Sequence, residues 1–326
     1  MADMTKTALV LGASGGVGGE TARALIARGW RVRGLSRSAR AGDRIDWRKG
    51  DAMDREAVLA AAQGVGAIVH AVNPPGYRDW DRLVLPMLDN TIAAAVANDA
   101  RIALPGAVYN YDPAVTPVAA PDSPQHPATR KGAIRRAMEE RLRTTPGVRA
   151  LVLRAGDFFG PRPGNSWVSQ GMIAPGRPVR YVLAPGRRGI GHAWAYLPDV
   201  GQAFARLLDR EADLPAFCRH HFAGHWDADG RTLARAIAKA AGNPGAPVLP
   251  FPWAAMPIAG LFNATMREMV EMRGFWTHPL RLDNASLVAA IGDEQHTQLD
   301  MALRETLDAL GCLSPARNDG RLAAPG

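Results

Sequence analysis

The stretch Leu11-Gly12-Ala13-Ser14-Gly15-Gly16-Val17-Gly18-Gly19 constrains this chain more than any other. It directly follows an apolar, β-like run at 7–11 and directly opens an amphipathic helical pattern at 16–28. Gly12, Gly15 and Gly18 give the spacing G-x-x-G-x-x-G. In a strand–turn–helix unit, one glycine permits the tight turn and another the close approach of a pyrophosphate. The third lets helix pack on strand. Backbone N–H groups at the helix start then hold phosphate oxygens. With Ser14 and Val17 between its glycines, the loop predicts a dinucleotide site; a bare tight turn is the plainer alternative.

Beyond the loop, short apolar runs at 7–11, 31–35, 45–48, 67–72, 101–104 and 150–154 alternate with amphipathic stretches at 16–28, 55–62, 80–98 and 128–144. That alternation predicts an α/β fold, a Rossmann-type doubly wound parallel sheet, with ligands bound beyond the carboxyl ends of its strands. After Gly160 the pattern breaks into Gly- and Pro-rich loops at 160–191 and 242–262. Between them lie a strand-to-helix return at 192–208, a strand at 217–222 and a helix at 230–241. The expected organisation is a dinucleotide-binding core over 1–160, completed by about 192–222. A smaller C-terminal substrate lobe takes 161–191 and 223–312, and 313–326 is a frayed tail.

Three strand ends carry residues suited to a dinucleotide. Where an NAD site usually places an acid for the ribose 2′-OH, about 20 residues after the loop, this chain has Ser36 and Arg37, with Arg40 close by. A guanidinium pairs a phosphate bidentately and keeps its charge, so the chain is expected to take NADP(H) rather than NAD(H). Asp51 and Ala52 end the third strand, where an Asp can accept from an adenine amine. Ala71 and Asn73 follow the fourth, where backbone passes a nicotinamide ribose.

These pieces resemble an extended short-chain dehydrogenase/reductase of the NAD-dependent epimerase/dehydratase type. The matching segments are Gly12–Gly18, Gly50-Asp51, Val108-Tyr109, Arg154-Ala155-Gly156-Asp157-Phe158-Phe159-Gly160-Pro161 and Ala195-Tyr196-Leu197-Pro198-Asp199-Val200. The resemblance runs from about Thr7 to about Leu310. It implies a nicotinamide held near Arg154–Phe158 and a Tyr-x-x-x-Lys pair with a nearby Ser. That pair is missing: the residues four places after Tyr77, Tyr109, Tyr111, Tyr181 and Tyr196 are Asp81, Pro113, Val115, Pro185 and Val200. The serine region reads Leu104-Pro105-Gly106-Ala107. On the helix of the pair, Lys131 or Gly132 takes the tyrosine position and Arg135 or Arg136 the lysine position. The chain thus resembles the atypical members, which include reductases with other acids and non-catalytic cofactor sensors.

Two groups are candidates for the missing acid. Lys131 stands among Arg130, Arg135 and Arg136, and clustered positive charge eases proton release from an ammonium. A solvated basic helix face explains the same cluster. Tyr109 follows the fifth strand at the cleft, where a packing role is the alternative. Asp157 also falls near the expected nicotinamide. Phe158, Trp167 and His192 are expected against the substrate. Phe251, Trp253, Phe262, Met266, Met269 and Trp276 are further candidates to line an apolar pocket for a small, hydrophobic carbonyl or alcohol compound.

Composition removes other classes. The net charge of +8 comes from four lysines and scattered arginines, with no basic run longer than two residues and no zinc-finger or RNA-binding signature, so no nucleic-acid partner is expected. No signal peptide or unbroken apolar span is legible, and two cysteines cannot build a disulfide framework. No metal site is expected, since the neighbouring His220 and His221 would point to opposite faces of a strand. The reading is a cytoplasmic NADP(H)-dependent oxidoreductase or epimerase-like enzyme with a small-molecule substrate. Homodimer formation stays open, and a non-catalytic NADP(H)-binding redox sensor is the alternative.

Overall fold

A computed structural model describes residues 6–38, 40, 44–74, 79–162, 164, 166–262 and 264–313. The tail predicted to fray lies almost wholly outside them. The strands are β1 (Thr7–Leu11), β2 (Arg31–Ser36), β3 (Ile45–Lys49), β4 (Ala67–His70), β5 (Arg101–Ala107), β6 (Val118–Ala119), β7 (Arg149–Ala155), β8 (Asp157–Phe159), β9 (Val182–Ala184), β10 (His192–Tyr196), β11 (Phe217–Phe222), β12 (His225–Asp227), β13 (Val248–Pro250) and β14 (Arg281–Leu282). The helices are α1 (Gly16–Ala27), α2 (Arg55–Ala61), α3 (Trp80–Asn98), α4 (Arg130–Thr144), α5 (Leu197–Asp209), α6 (Thr232–Ala240), α7 (Met256–Phe262), α8 (Ala264–Glu271), α9 (Ala285–Ile291) and α10 (Leu299–Ala309).

Seven parallel strands form the main sheet in the order β11-β7-β5-β4-β1-β2-β3. Strand order reverses between β1 and β4, which opens a crevice at their carboxyl ends. The two-residue period of a strand divides its side chains between two cores. Ala8 and Val10 of β1 meet Leu25, Phe204, Leu207 and Leu287, contributed by α1, α5 and α9. Leu9 and Leu11 meet Val58, Leu88, Ile92 and Met138 from α2, α3 and α4 on the other face. The sheet is therefore a middle layer, buried on both sides, which is why its strands read as unbroken apolar runs.

β5 runs three residues past its predicted end, through Pro105 and Gly106. Its pairing with β4 stops at Ala103, so the missing Pro105 N–H interrupts no ladder on that side. Conversely, β4 stops at His70, and Ala71 to Pro74 form the loop that borders the crevice.

Most of the lobe is woven from segments that leave the main sheet after β7, and β6 joins it from the connection between β5 and α4. β8 and β10 pair in parallel and β12 joins antiparallel. β9 pairs with β13, and β6 with β14. The lobe core gathers Phe159, Val168, Trp194, Tyr196, Ile237, Trp276, Leu303 and Leu307. The stretches read as loops around 160–191 and 242–262 also hold a π-helical turn (Val168–Met172), β9, β13 and α7. Among the described residues no helix is long and apolar enough to cross a membrane, and none form a metal-binding group of three or more ligands.

Candidate active site

A cleft of about 800 Å³ follows the carboxyl edge of the sheet from the glycine loop to the lobe. At one end the chain turns through Gly12, whose φ is +87°. A Cβ there would stand 2.5 Å from the Ala71 carbonyl oxygen, and one at Gly18 would stand 2.3 Å from the Gly12 carbonyl oxygen. Only glycine fits either position, so β1, the loop and α1 close tightly on β4. Gly15 N donates to the Gly12 carbonyl at 2.8 Å. α1 has neither a side-chain cap nor an acid in its first turn, so its amides keep their positive field toward the cleft. Ser14, Gly15 and Val17 line the cleft; Gly18 is buried beneath it.

Ser36, Arg37 and Arg40 also line this end, with both arginines exposed. The Arg40 guanidinium lies 5.3 Å from the centre of the Trp47 ring, a cation–π contact. Asp51 borders the cleft while its Oδ1 accepts from Met53 N at 3.0 Å, and the Ala52 carbonyl accepts from Asn90 Nδ2 at 2.9 Å. Ala71 and Asn73 line the centre. Nearby, Thr91 Oγ1 donates to the Met87 carbonyl at 3.1 Å and so accepts from His70 Nδ1 at 2.7 Å. Burial, reinforced by Arg135, pushes the His70 imidazole down to about 3, so it is held neutral with Nε2 bare.

Of the α4 candidates, Lys131 and Arg135 line the cleft, whereas Gly132 packs on the Tyr109 carbonyl and Arg136 reaches the Gln125 carbonyl. Lys131, a candidate proton donor, is met by carboxylates from α8. Its Nζ lies 2.7 Å from Glu268 Oε2, 3.0 Å from the Glu268 carbonyl oxygen and 3.5 Å from Glu271 Oε2, so three acceptors surround the ammonium. Arg135 donates to the Pro105 carbonyl at 3.2 Å and covers the Trp80 ring.

The Arg154 side chain does not stand beside the cleft, where a cofactor contact was expected. It is fully buried and turned away from the cleft. Its guanidinium forms an ion pair with Glu139 and donates to the Tyr111 hydroxyl, the Pro121 carbonyl and His221 Nε2. Burial and that guanidinium push His221 down to about 3, and burial pushes Tyr111 up to about 12. Such a neutral, interlocked network holds the end of β7 in place.

At the far end, Tyr109, Asp157, Phe158 and Trp167 line the cleft. Tyr109 Oη is 3.5 Å from Asp157 Oδ1, and its ring leans on Phe275 at 5.3 Å. His192, expected against the substrate, stands one layer back and meets Asp157 Oδ2 at 2.8 Å. Trp167 is wedged among Phe251, Trp253 and Trp276, with centroid separations of 5.7, 5.7 and 4.9 Å. Met269 does line the cleft, but Phe262 is 88% exposed and Met266 also faces solvent. The sequence reading missed Ser166, Gln170, Glu268 and Met272 at this end. Glu268 is nonetheless foreshadowed by the acid–apolar rhythm of 268–272, which places Glu268, Met269 and Met272 on one helical face.

A family model for the NAD-dependent epimerase/dehydratase family matches residues 8–216. The chain belongs to that family. Among solved structures, UDP-glucose 4-epimerase of Thermus thermophilus complexed with NAD is 20% identical, with a TM-score of 0.68 over 93% of this chain and 98% of that one. The Bifidobacterium longum UDP-glucose 4-epimerase, complexed with NAD+ and UDP, is 14% identical, with a TM-score of 0.70 over 93% and 97% of the two chains. WbmH of Bordetella bronchiseptica, complexed with NAD+, is 17% identical, with a TM-score of 0.69 over 94% and 98%. These likenesses establish the epimerase/dehydratase fold across the lobe as well as the sheet. No curated protein matches the chain.

Proposed function

We propose that this epimerase/dehydratase-family protein is an NADP(H)-dependent oxidoreductase or epimerase-like enzyme. Its substrate is a small hydrophobic carbonyl or alcohol compound. The observation that carries the reading is one continuous cleft with an anion-seeking loop at one end and a phenol among aromatic rings at the other. The residues fit a nicotinamide dinucleotide: Gly12 and Gly18 leave the backbone cradle that a Cβ would fill, and Ser14, Gly15 and Val17 would hold the pyrophosphate. When bound, such a cofactor supplies or accepts hydride at the nicotinamide ring. Arg37, with Ser36 and Arg40, would hold a 2′-phosphate, and Asp51, Ala71 and Asn73 would border the rest of the dinucleotide.

The tyrosine position of the family holds Lys131, already surrounded by acceptors, so Tyr109 is the better proton donor to a substrate oxygen. Lys131 instead fastens α4 to α8. A general acid contributes about 10²–10⁴-fold. Phe158, Trp167, Met269 and Met272 would enclose an apolar substrate. Asp157 and Glu268 place carboxylates at this end, which disfavours a diphosphate such as that of UDP.

The first experiment is a titration with NADPH, NADP+ and NADH, followed by tryptophan quenching. NADPH binding at least tenfold tighter than NADH, about 1.4 kcal/mol, supports the 2′-phosphate site. Hydrophobic carbonyl compounds are then screened by NADPH oxidation at 340 nm. Failure of NADPH and NADP+ to bind overturns the reading. One observation favours the sensor alternative: Lys131 ties the sheet layer to the lobe at the cleft, so cofactor occupancy would be felt by the lobe. Tight NADPH binding with no oxidation across the panel supports that alternative.

A further inference from the structure

The side chains behind the cleft wall form a single series. Tyr109 Oη faces Asp157 Oδ1 at 3.5 Å, Asp157 Oδ2 faces His192 Nε2 at 2.8 Å, and His192 Nδ1 faces the Phe275 carbonyl at 3.3 Å. Tyr109 and Asp157 border the cleft, and His192 does not. The imidazole is 8% exposed and lies flat on the Trp276 ring, at 3.8 Å and 13°, with Trp194 at 5.0 Å. Among the described contacts, Asp157 is the one charged group that meets it. A carboxylate and a carbonyl can only accept, so the ring satisfies both contacts when each nitrogen carries a proton.

We propose that His192 is the proton reserve of this site, joined to Tyr109 through Asp157; the proposal rests on Tyr109 as the proton donor. When a substrate carbonyl is reduced by the nicotinamide dinucleotide, the Tyr109 O–H bond breaks and an O–H bond forms on the substrate oxygen. A proton leaves His192 Nε2 for Asp157, and the carboxylic acid turns about its Cβ–Cγ bond and gives it to the phenolate. Tyr109 is again neutral, Asp157 is again a carboxylate, and the imidazole carries one proton fewer. In alcohol oxidation the same proton travels the opposite way and is stored on the ring. No electrons pass along the series, and the stacked indole holds the ring edge-on to Asp157.

The test uses the full chain with His192→Gln, Asp157→Asn and Tyr109→Phe, each first checked for unchanged NADPH affinity. A substrate-free arm labels histidine with ¹⁵N and identifies the His192 ring nitrogens by their loss in His192→Gln. Tyr109→Phe shifts those resonances if the three groups form one series; unchanged resonances overturn the proposal. In turnover, with a carbonyl compound that the native chain reduces, His192→Gln lowers kcat about 10²-fold with KM unchanged. The double variant His192→Gln/Asp157→Asn costs no more than the worse single one, as for groups that act as a unit. An unchanged kcat, or a loss carried by KM instead, overturns the reserve. If Tyr109→Phe loses turnover while His192→Gln does not, only the reserve falls. If Tyr109→Phe keeps full turnover, the proton-donor assignment falls and takes the reserve with it.

Discussion

The Nζ of Lys131 lies 2.7 Å from Oε2 of Glu268, and this pair joins a helix of the sheet layer to a helix of the lobe. The lysine side chain is 4% exposed and the glutamate 14%. Removing one partner of a buried pair leaves the other charge without compensation and costs about 3–5 kcal/mol. Lys131→Met is therefore expected to lower the unfolding free energy by about 3 kcal/mol or more in denaturant titrations. Adding Glu268→Gln should recover part of that loss. NADPH affinity should survive both changes, because neither residue adjoins the glycine loop.

The glycine loop separates two alanine substitutions by geometry. A Cβ at Gly18 would meet backbone at 2.3 Å, whereas one at Gly15 would lie 3.3 Å from the Gly12 carbonyl oxygen. Gly18→Ala must move α1 away from the loop, which costs about 1–3 kcal/mol, and should weaken NADPH binding at least tenfold. Gly15→Ala should lose about 1 kcal/mol or less. Thermal unfolding and tryptophan quenching measure the two effects.

Arg37 and Arg40 offer a test that leaves the fold untouched, since both are exposed. Arg37→Ala is expected to weaken NADPH about tenfold and NADH hardly at all. Arg40→Ala should act in the same direction. Its effect should be smaller, because its guanidinium is partly engaged with Trp47. Equal losses for the two cofactors would remove the 2′-phosphate assignment.

Acid should destabilise the fold earlier than carboxylate chemistry alone requires. His70 and His221 are held down to about 3 and His225 to about 4, against an ordinary 6.5. As pH falls below 6.5 the unfolded chain takes up protons on these imidazoles while the folded one does not. Stability is thus complete above 6.5 and declines toward pH 4, by about 1.4 kcal/mol per pH unit for each imidazole. Denaturant midpoints between pH 7 and 5 should show this slope, and His70→Gln should flatten it by about one imidazole's share.

The parts of the molecule governed by local sequence were legible in advance. The glycine loop and the strands of the main sheet follow from short-range patterns, and Arg37, Asp51 and Asn73 at the strand ends line the cleft. What could not be read depends on pairs made across the chain. Lys131 looked like a member of a basic helix face, but Glu268 and Glu271 arrive from far along the sequence and surround its ammonium. Arg154 sits at the expected strand end, yet strand alternation turns it toward Glu139 instead of the cleft. His192 fell short of the cleft for a similar reason, with Asp157 standing between. The apolar Phe262 carried no sign of its exposure, since a hydrophobic residue reads alike on either face of a short helix.

The placement of β11 also bears on how the chain is made. It pairs with β7 at the margin of the main sheet, but the polypeptide reaches it only after building β8, β9 and β10 in the lobe. On the ribosome, the N-terminal part of the main sheet therefore emerges with the β7 edge uncovered until residue 222 has been added. During that interval the open backbone edge is a surface that chaperones would shield and that neighbouring nascent chains could pair with. Shortening the chain before β11 would make that transient hazard permanent.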